Sequence, residues 1–349
     1  MWKQAIEEIQ PLAKDWLRRA RTRLDSLTKP RGSLGFLERI AEQVVAIRQE
    51  EIPVLEKKEV FVFVGDHGVV SEGVSAYPQE VTAAMVKNFL NGGAAINVLA
   101  RCVGARVSVI DIGMVEDLQN APGLIQRKIR KGTGNIAREP AMTVEQAQKA
   151  MNVGVDMAEE AYARGSVMIA TGDMGIGNTT PSSALFSALL PTNVASVAGK
   201  GTGLDEEGVK NKVQVIERAL KANRASLDDP LAALAAVGGL EIAGICGLCL
   251  GGAARRMIVV VDGFISSAGA LAAMRLNRVV QDYLFFSHRS SEAGHRTFFQ
   301  KEGIRPILDL DLRLGEGTGA ALVMHLIEDA VRIYNEMATF EEVGIAPGA

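Results

Sequence analysis

The chain contains five short runs of apolar residues, rich in valine and isoleucine, and each run ends in glycine or in a polar residue. The runs cover residues 59–64, 106–112, 166–171, 257–261 and 307–312. Because apolar residues predominate in them, they are typical of strands that are covered on both faces, and segments with helical spacing lie between them. The pattern predicts an α/β fold with a doubly wound, mainly parallel sheet and helices on both faces.

Both ends of the chain show the spacing of helices. Apolar residues recur at helical intervals over residues 2–22, 36–51 and 318–337, with charged residues between them. The length of 349 residues exceeds that of a usual single domain. We therefore predict a Rossmann-like catalytic α/β domain over residues 51–319. The N- and C-terminal segments, residues 1–50 together with about 320–349, are expected to form a small helical domain.

The charge balance argues against large charged partners. The chain has 38 basic and 41 acidic residues, which suggests neither a nucleic acid nor a membrane surface as partner and favours small-molecule substrates. Acidic residues at the N-terminus interrupt any signal-peptide pattern, and three cysteines agree with a reducing compartment, so a cytoplasmic location is expected.

An apolar region over residues 231–274 invites two further interpretations. It contains Cys246 and Cys249, whose spacing is compatible with a redox or metal pair, but the segment is apolar throughout and favours core packing. Charged residues interrupt the region, so it lacks the run of about 20 apolar residues that a membrane helix needs. We expect a buried helix followed by a central strand.

A single carboxylate stands among glycines near the end of the chain. Leucines alternate over residues 308–314, which predicts a strand, and Gly315, Glu316 and Gly317 follow before the last helix begins. At the carboxyl edge of a sheet Glu316 could approach a substrate closely, and an apolar pocket would raise its pKa toward that of a general base. The alternative is an acid that only stabilises the helix N-terminus.

Residues 167–181 run from an apolar strand through glycines into a helix. Free N–H groups at such a helix start, together with Asn and Thr side chains, predict a site for one phosphate, with Thr180 as N-cap and Pro181 in the first turn. The segment matches neither the Gly-x-Gly-x-x-Gly fingerprint nor a Walker loop, so a dinucleotide or nucleoside triphosphate is not indicated. An ordinary glycine turn is the alternative.

Three other polar segments are candidates for binding. Lys212 follows the glycine cluster at 199–203 and could neutralise a phosphate, although an exposed lysine at a helix start fits the same pattern. The cluster at 287–296 contains two histidines, but its spacing favours anion recognition through serines and backbone over a metal. Asp262 follows the strand at 257–261, as do the acids that hold ribose in pyrophosphate-donor phosphoribosyltransferases. Gly263 replaces the second acid of that pattern.

Several motifs occur in order over roughly residues 24–343. They are Gly-Asp-His-Gly at 65–68, Tyr-Pro-Gln-Glu-Val-Thr at 77–82, Gly-Gly-Ala-Ala-Ile-Asn at 92–97, Met-Gly-Ile-Gly-Asn-Thr-Thr at 174–180, Asp-Gly-Phe at 262–264, the serine and histidine cluster at 287–295, and Leu-Gly-Glu-Gly-Thr-Gly at 314–319. Together they resemble the nicotinate-nucleotide:dimethylbenzimidazole phosphoribosyltransferase family. That family works in assembly of the cobalamin nucleotide loop, transferring the phosphoribosyl group of nicotinate mononucleotide to 5,6-dimethylbenzimidazole.

The resemblance implies a homodimer in which Glu316 is the general base. The residues that it implies for the phosphate and the rest of the nucleotide are Asp173, Gly175, Ile176, Gly177, Asn178, Thr179, Thr180, Lys212, Asp262, Gly263, Ser290, Ser291 and Gly294. Those near the benzimidazole are Tyr77, Met85, Met174 and Leu314. The family often has Glu where Asp173 stands, which leaves the part of Asp173 in donor contacts open. A monophosphate donor needs no metal, and no cofactor is expected.

Two rival functions remain at this point. One is a magnesium-dependent transferase that uses phosphoribosyl pyrophosphate, and the single acid at Asp262 argues against it. The other is a non-catalytic nucleotide-binding module, in which Glu316 would serve only at the helix start. We also expect Asp66 and His67 to form a buried pair that fixes a strand-end turn.

Overall fold

A six-stranded sheet forms the centre of the computed structural model, which describes residues 1–118 and 121–345. Its strands are β1 Lys58–Gly65, β2 Arg106–Gly113, β3 Leu124–Gln126, β4 Met168–Met174, β5 Ile258–Val261 and β6 Leu284–Phe286. All neighbouring pairs are parallel, in the order β3-β2-β1-β4-β5-β6. The α/β class and the parallel sheet are thereby confirmed.

Helices connect the strands and occupy both ends of the described chain. They are α1 Trp2–Glu8, α2 Lys14–Ser26, α3 Phe36–Arg48, α4 Val81–Leu90, α5 Ala95–Cys102, α6 Val144–Ala163, α7 Thr179–Leu189, α8 Glu206–Ala222, α9 Pro230–Val237, α10 Leu240–Ala254, α11 Phe264–Leu276, α12 Ala293–Glu302 and α13 Thr318–Glu336. The helix predicted over residues 2–22 is interrupted between α1 and α2, where Pro11 lacks the N–H that a continuous helix would need.

Different structural elements contact opposite faces of the sheet. A Cβ built on Gly244 of α10 would lie 2.7 Å from Cδ1 of Phe63, whereas one built on Gly317, just before α13, would lie 2.7 Å from Cγ1 of Val60. Side chains alternate between the faces of a strand, so Phe63 and Val60 point in opposite directions. All eight residues of β1 are buried, as expected for a strand covered on both sides.

The strand predicted over residues 307–312 is wrong. Among the described residues its only bridge joins Leu308 to His288, and Leu310 and Leu314 are 53% and 58% exposed. Asp311 within the alternating leucines has φ 54°, which breaks an extended chain, and the exposed leucines face solvent instead of a covering layer. By contrast, β3 and β6 were not predicted, because three residues are too few to show a periodicity.

The two ends of the chain pack together, as expected. The Arg23 guanidinium on α2 donates to the Tyr334 carbonyl on α13 at 2.8 Å, and the Thr28 amide donates to the Ala338 carbonyl at 2.9 Å. Helix α13 also contacts β4 and β5. Whether the terminal helices form a separate domain stays a prediction, and residues 346–349 of that predicted domain lie outside the described residues.

The apolar region over 231–274 folds as α9, α10, β5 and α11. Cys246 and Cys249 are fully buried on α10, and burial raises the pKa of the Cys249 thiol to about 12. This environment confirms core packing as their role. In the described part of the chain, no helix is both long and apolar enough to cross a membrane.

Candidate active site

The central strands β1 and β4 are neighbours, and their connections leave in opposite directions along the sheet. Ligands of parallel α/β sheets bind outside the carboxyl ends of the strands at such a reversal. The loop after β4 passes directly over the end of β1, because a Cβ on Gly175 would collide with the Gly65 carbonyl oxygen. This crevice is where the predicted residues of both loops meet.

Glu316 lies at the carboxyl end of β4, in the loop that leads into α13. Its amide donates to the Asp173 carbonyl at 3.2 Å, and its Oε2 accepts from the Ile96 amide in the first turn of α5 at 3.4 Å. The side chain is buried, with the residue 4% exposed. Burial raises the pKa of Glu316, the nearby Asp262 raises it further, and the Ile96 N–H opposes the shift.

The backbone around Glu316 is left-handed over three consecutive residues. Its own φ is 64°, and those of Gly315 and Gly317 are 84° and 92°. Glycine adopts this region freely, whereas a residue with a Cβ is strained there. The carboxylate therefore occupies a conformation that folding alone would not favour, which points to a function at this position.

Asp262 binds the backbone of the loop that carries Glu316. Its Oδ2 accepts from the Gly317 amide at 3.1 Å and its Oδ1 from the Ala320 amide at 3.0 Å, so it binds the N-terminus of α13. Burial raises the pKa of Asp262, and His288 together with these amides opposes the shift. Gly263 caps α11, where a Cβ would lie 3.2 Å from the His288 ring.

Asp173, the last but one residue of β4, is 5% exposed and lies among other acids. Burial raises its pKa well above the ordinary value, and repulsion from Asp262, Glu241 and Glu316 adds to this. The Asn178 side chain, which donates to Oδ2 at 3.1 Å, opposes the shift. Asp173 and Glu316 are thus two buried acids side by side at the carboxyl end of β4, each with a raised pKa.

The predicted phosphate loop does lead into a helix N-terminus. Helix α7 begins at Thr179 with Asn178 as N-cap, two residues before the predicted cap Thr180, which is instead inside the first turn. The Ile176 amide donates to Thr82 Oγ1 at 3.1 Å, which fixes the loop against α4. Gly177 has φ 87°, so the chain turns there in a way that favours glycine.

Lys212 is fully buried, so the alternative of an exposed lysine is wrong. Its Nζ donates to Thr179 Oγ1 at 2.9 Å and to the Gly199 carbonyl at 3.2 Å, which places the ammonium beside the N-terminus of α7. Burial lowers the pKa of Lys212 to about 8, and Glu292 opposes this. An ammonium and a helix N-terminus at one point form a site for an anion.

The cluster at 287–296 is organised around His295. Its Nδ1 accepts from the Ser290 amide at 2.8 Å and its Nε2 lies 2.9 Å from Ser267 Oγ. Burial and the neighbouring His288 lower the pKa of His295 well below its ordinary value, so the ring is neutral. Ser290 is buried, Ser291 is exposed, and Gly294 in the first turn of α12 has no room for a Cβ beside the Val197 carbonyl.

The four residues expected near the base differ in exposure. Tyr77 is 54% exposed and Leu314 is 58% exposed. Met85 on α4 and Met174 at the end of β4 are half-buried. Met174 and Leu314 adjoin Asp173 and Gly315 in the chain, so they flank the loop of Glu316.

One buried pair in the crevice had no clear signal in the sequence. His67 Nε2 lies 2.9 Å from Glu241 Oε1, whereas Asp66 accepts from the Val115 amide at 2.8 Å. Asp66 and His67 are both buried, as expected, and Asp66 bonds across the strand-end turn, but the partner of His67 is Glu241 in the first turn of α10. Burial would lower the pKa of His67, but Glu241 outweighs it and the pKa is raised. The only sequence feature that could have indicated this pair is that Glu241 is a single acid within an otherwise apolar helix.

Among the residues that the structure describes, no group of three His, Cys, Asp or Glu side chains is arranged to hold a metal ion.

Comparison with known proteins identifies the family of this chain. A family model described as phosphoribosyltransferase, DBI_PRT, matches residues 9–345. The chain is 56% identical over 345 residues to the nicotinate-nucleotide–dimethylbenzimidazole phosphoribosyltransferase of Geobacter sulfurreducens, covering 99% of this chain and 98% of that protein. For the Chlorobaculum tepidum protein of the same name the identity is 52%, again with 99% and 98% covered. The crystal structure of CobT from Thermus thermophilus superposes with a TM-score of 0.90 at 46% identity, covering 96% of this chain and 100% of that one. The chain therefore belongs to the nicotinate-nucleotide–dimethylbenzimidazole phosphoribosyltransferase family.

Proposed function

We propose that this protein transfers the phosphoribosyl group of nicotinate mononucleotide to 5,6-dimethylbenzimidazole or a related base, giving α-ribazole 5′-phosphate and nicotinate for cobalamin biosynthesis. Full-length membership of the family supports the reaction. The observation that carries the mechanism is the buried carboxylate of Glu316, with its raised pKa, at the carboxyl end of the central strands. A base of that kind can take a proton from a weakly acidic heterocycle.

The proton balance of the reaction needs a base but no acid. In nicotinate mononucleotide the ring nitrogen is a pyridinium, so the breaking C1′–N bond returns its electron pair to that nitrogen and neutralises it. Glu316 takes the N–H proton of the benzimidazole while the other ring nitrogen forms the new bond to C1′. Attack opposite the leaving group converts a β link into an α link.

The donor phosphate binds at the N-terminus of α7. Residues 175–180 form the turn into that helix start, whose dipole favours an anion, and the buried Lys212 adds a positive charge beside Thr179. The nicotinate end lies near Ser290, Ser291 and Gly294. Asp262 keeps the Glu316 loop in place through its bonds to Gly317 and Ala320, and Asp173 lies beside the same loop.

The acceptor base binds between Tyr77, Met85, Met174 and Leu314. Tyr77 and Leu314 are large apolar side chains that are more than half exposed, so a planar aromatic ring can gain contact with both. This position places the ring beside the loop that carries Glu316.

We also infer the finer architecture. The sheet is doubly wound, the terminal helices form a small domain, and two chains form a homodimer. Contacts between the chain ends support the small domain, and the family resemblance supports the dimer.

A direct assay tests the reaction. The protein is incubated with nicotinate mononucleotide and a panel of benzimidazoles and purines, and nicotinate and the new nucleotide are quantified; a mixture without base is the control. We expect nicotinate release that depends on the base and continues in EDTA. No release with any base would favour a nucleotide-binding module. A requirement for phosphoribosyl pyrophosphate and magnesium would favour the rival transferase.

A further inference from the structure

The glycine loop at residues 199–203 is held between two buried side chains of opposite charge. On one side Lys212 Nζ donates to the Gly199 carbonyl at 3.2 Å and to Thr179 Oγ1 at 2.9 Å. On the other side lies the Glu292 carboxylate, so close that a Cβ on Gly199 would collide with Oε2. The 199–203 loop beside the phosphate site is thus contacted by Lys212 on one side and by Glu292 on the other.

Glu292 lies at the point where this loop meets the nicotinate end of the site. It is 7% exposed and caps α12, and its amide donates to Ser290 Oγ at 3.3 Å. Its Oε2 has no hydrogen-bond partner among residues 1–118 and 121–345. A buried carboxylate oxygen without a partner is destabilising, so its presence here points to a role beyond folding.

The charges that face this carboxylate come from two elements of the described chain. Lys212 on α8 and Arg313 in the segment before α13 are cations, and the Gly201 amide is a further donor. Burial raises the pKa of Glu292, and these groups oppose the shift. In return Glu292 opposes the burial that lowers the pKa of Lys212 to about 8. Each of the two groups therefore favours the charged form of the other.

Resting on the proposed function, we propose that Glu292 is a positioning residue that holds the 199–203 loop and the Lys212 ammonium in the geometry that receives the donor phosphate. It also joins this phosphate site to the Ser290 loop that receives the nicotinate. The two ends of the same donor are thereby bound by one connected unit. The acceptor base lies outside this unit.

The test compares Glu292→Gln with the wild type in steady-state nicotinate release between pH 6 and 9. Without the carboxylate charge Lys212 loses its proton at lower pH, and one unit of pKa corresponds to a tenfold change in the ratio of its two forms. We expect the donor KM of the variant to rise by about tenfold relative to wild type at pH 8.5. At pH 6.5 it stays within ~3-fold, as do kcat and the base KM throughout, because Lys212 is protonated there in both proteins.

Two further variants sharpen the test. Glu292→Asp keeps the charge and should restore most of the wild-type pH dependence. Glu207→Gln removes an exposed carboxylate at the start of the same helix that carries Lys212, and solvent screening should leave its pH profile unchanged. A Gln variant whose donor KM follows the wild type at every pH overturns the proposal. So does an equal loss in kcat and in the KM of both substrates, which would indicate a general structural role.

Gly199→Ala provides an independent measurement if Glu292→Gln folds poorly. The new methyl would push the loop away from Glu292, so the donor KM should rise by about tenfold or more with the base KM unchanged. An unchanged donor KM overturns the proposal.

If the wild type releases no nicotinate, the proposed function fails by itself. Calorimetric titration of nicotinate mononucleotide into wild type and Glu292→Gln then still tests the positioning role, because equal affinities at pH 8.5 overturn it.

Discussion

At the residue scale the site depends on a side chain held in an unfavourable backbone conformation. Glu316 has φ 64° between two glycines that are also left-handed. The glycines were visible in the sequence and made Glu316 a candidate. Its left-handed conformation, its contact with Ile96 and its burial were not visible, because they depend on how α5 and α13 converge on the end of β4.

Replacing Glu316 by Gln tests its role as general base. The amide is nearly isosteric and keeps an acceptor for the Ile96 amide, but it cannot accept a proton at neutral pH. We expect kcat to fall by ~10²–10⁴-fold with the donor KM within a few-fold of wild type. Glu336→Gln, an exposed acid at the end of α13, is the control. Near-wild-type turnover of Glu316→Gln would refute the assignment.

The backbone strain at this position can be measured separately from catalysis. Glu316→Gly and Glu316→Ala both remove the carboxylate, but only glycine relieves the left-handed conformation. We expect the free energy of unfolding of the Gly variant to exceed that of the Ala variant by about 1 kcal/mol. Urea denaturation of both variants checks this. Equal stabilities would mean that the loop relaxes without strain.

The pKa of Lys212 predicts the alkaline limb of activity. The protonated amine attracts the phosphate, and its pKa in the free enzyme is about 8. The group binds the donor below this pKa and loses its charge above it, so kcat/KM for the donor should decline as pH rises through about 8. A pH series with saturating base measures it. Lys212→Met should lower the donor kcat/KM at neutral pH, and its kcat/KM should not decline further as pH rises through about 8. The same decline in this variant would mean that another group causes it.

At the scale of elements, α10 is placed by contact between helix backbones. A Cβ on Gly247 would collide with the Met151 carbonyl of α6, and one on Gly154 with the Gly244 carbonyl. Glycines thus let the two helices approach to backbone distance. The first turn of α10 carries Glu241, which pairs with His67, so the helix contact also positions part of the crevice.

Two glycines of α10 give a graded test of this contact. Gly247→Ala introduces a methyl against a backbone carbonyl, whereas at Gly251 the nearest atom to the new methyl is the Ala158 Cβ at 2.8 Å. We expect Gly247→Ala to lower the free energy of unfolding by ~2–3 kcal/mol and Gly251→Ala by less, because the new methyl would lie much closer to the Met151 carbonyl oxygen at position 247 than to its nearest neighbour, at 2.8 Å, at position 251. Urea denaturation compares them; the reverse order would contradict this account of the packing.

The elements differ in how far they could be predicted. The strands β1, β2 and β4 have seven or eight residues and were predicted because such runs are long enough to show their pattern. The alternating leucines at 308–314 suggested a strand that does not form, because the left-handed backbone at Asp311 interrupts it and a sequence period of two does not reveal such a break. The contact of Lys212 with α7 and the pair of His67 with Glu241 join distant segments, so no local pattern could show them.

At the scale of the whole molecule, the homodimer stays a prediction. The protomer mass is 37.2 kDa, and we expect sedimentation velocity to give a species of twice that mass. Leu310 and Leu314 are large apolar side chains that are more than half exposed, and we expect the second chain to contact them. A single species at the protomer mass across micromolar concentrations would contradict the prediction.

The strand order has a consequence for dividing the chain. Strands β1 and β4 touch at the crevice, yet β2, β3 and α6 separate them in sequence. A cut within residues 127–143 would leave β1 on one fragment and β4 on the other, so each fragment would carry one side of the crevice. Neither fragment alone could then carry out the transfer. Activity in a mixture of the two fragments would show that they had reassembled. The protein is therefore suited to use as a split reporter.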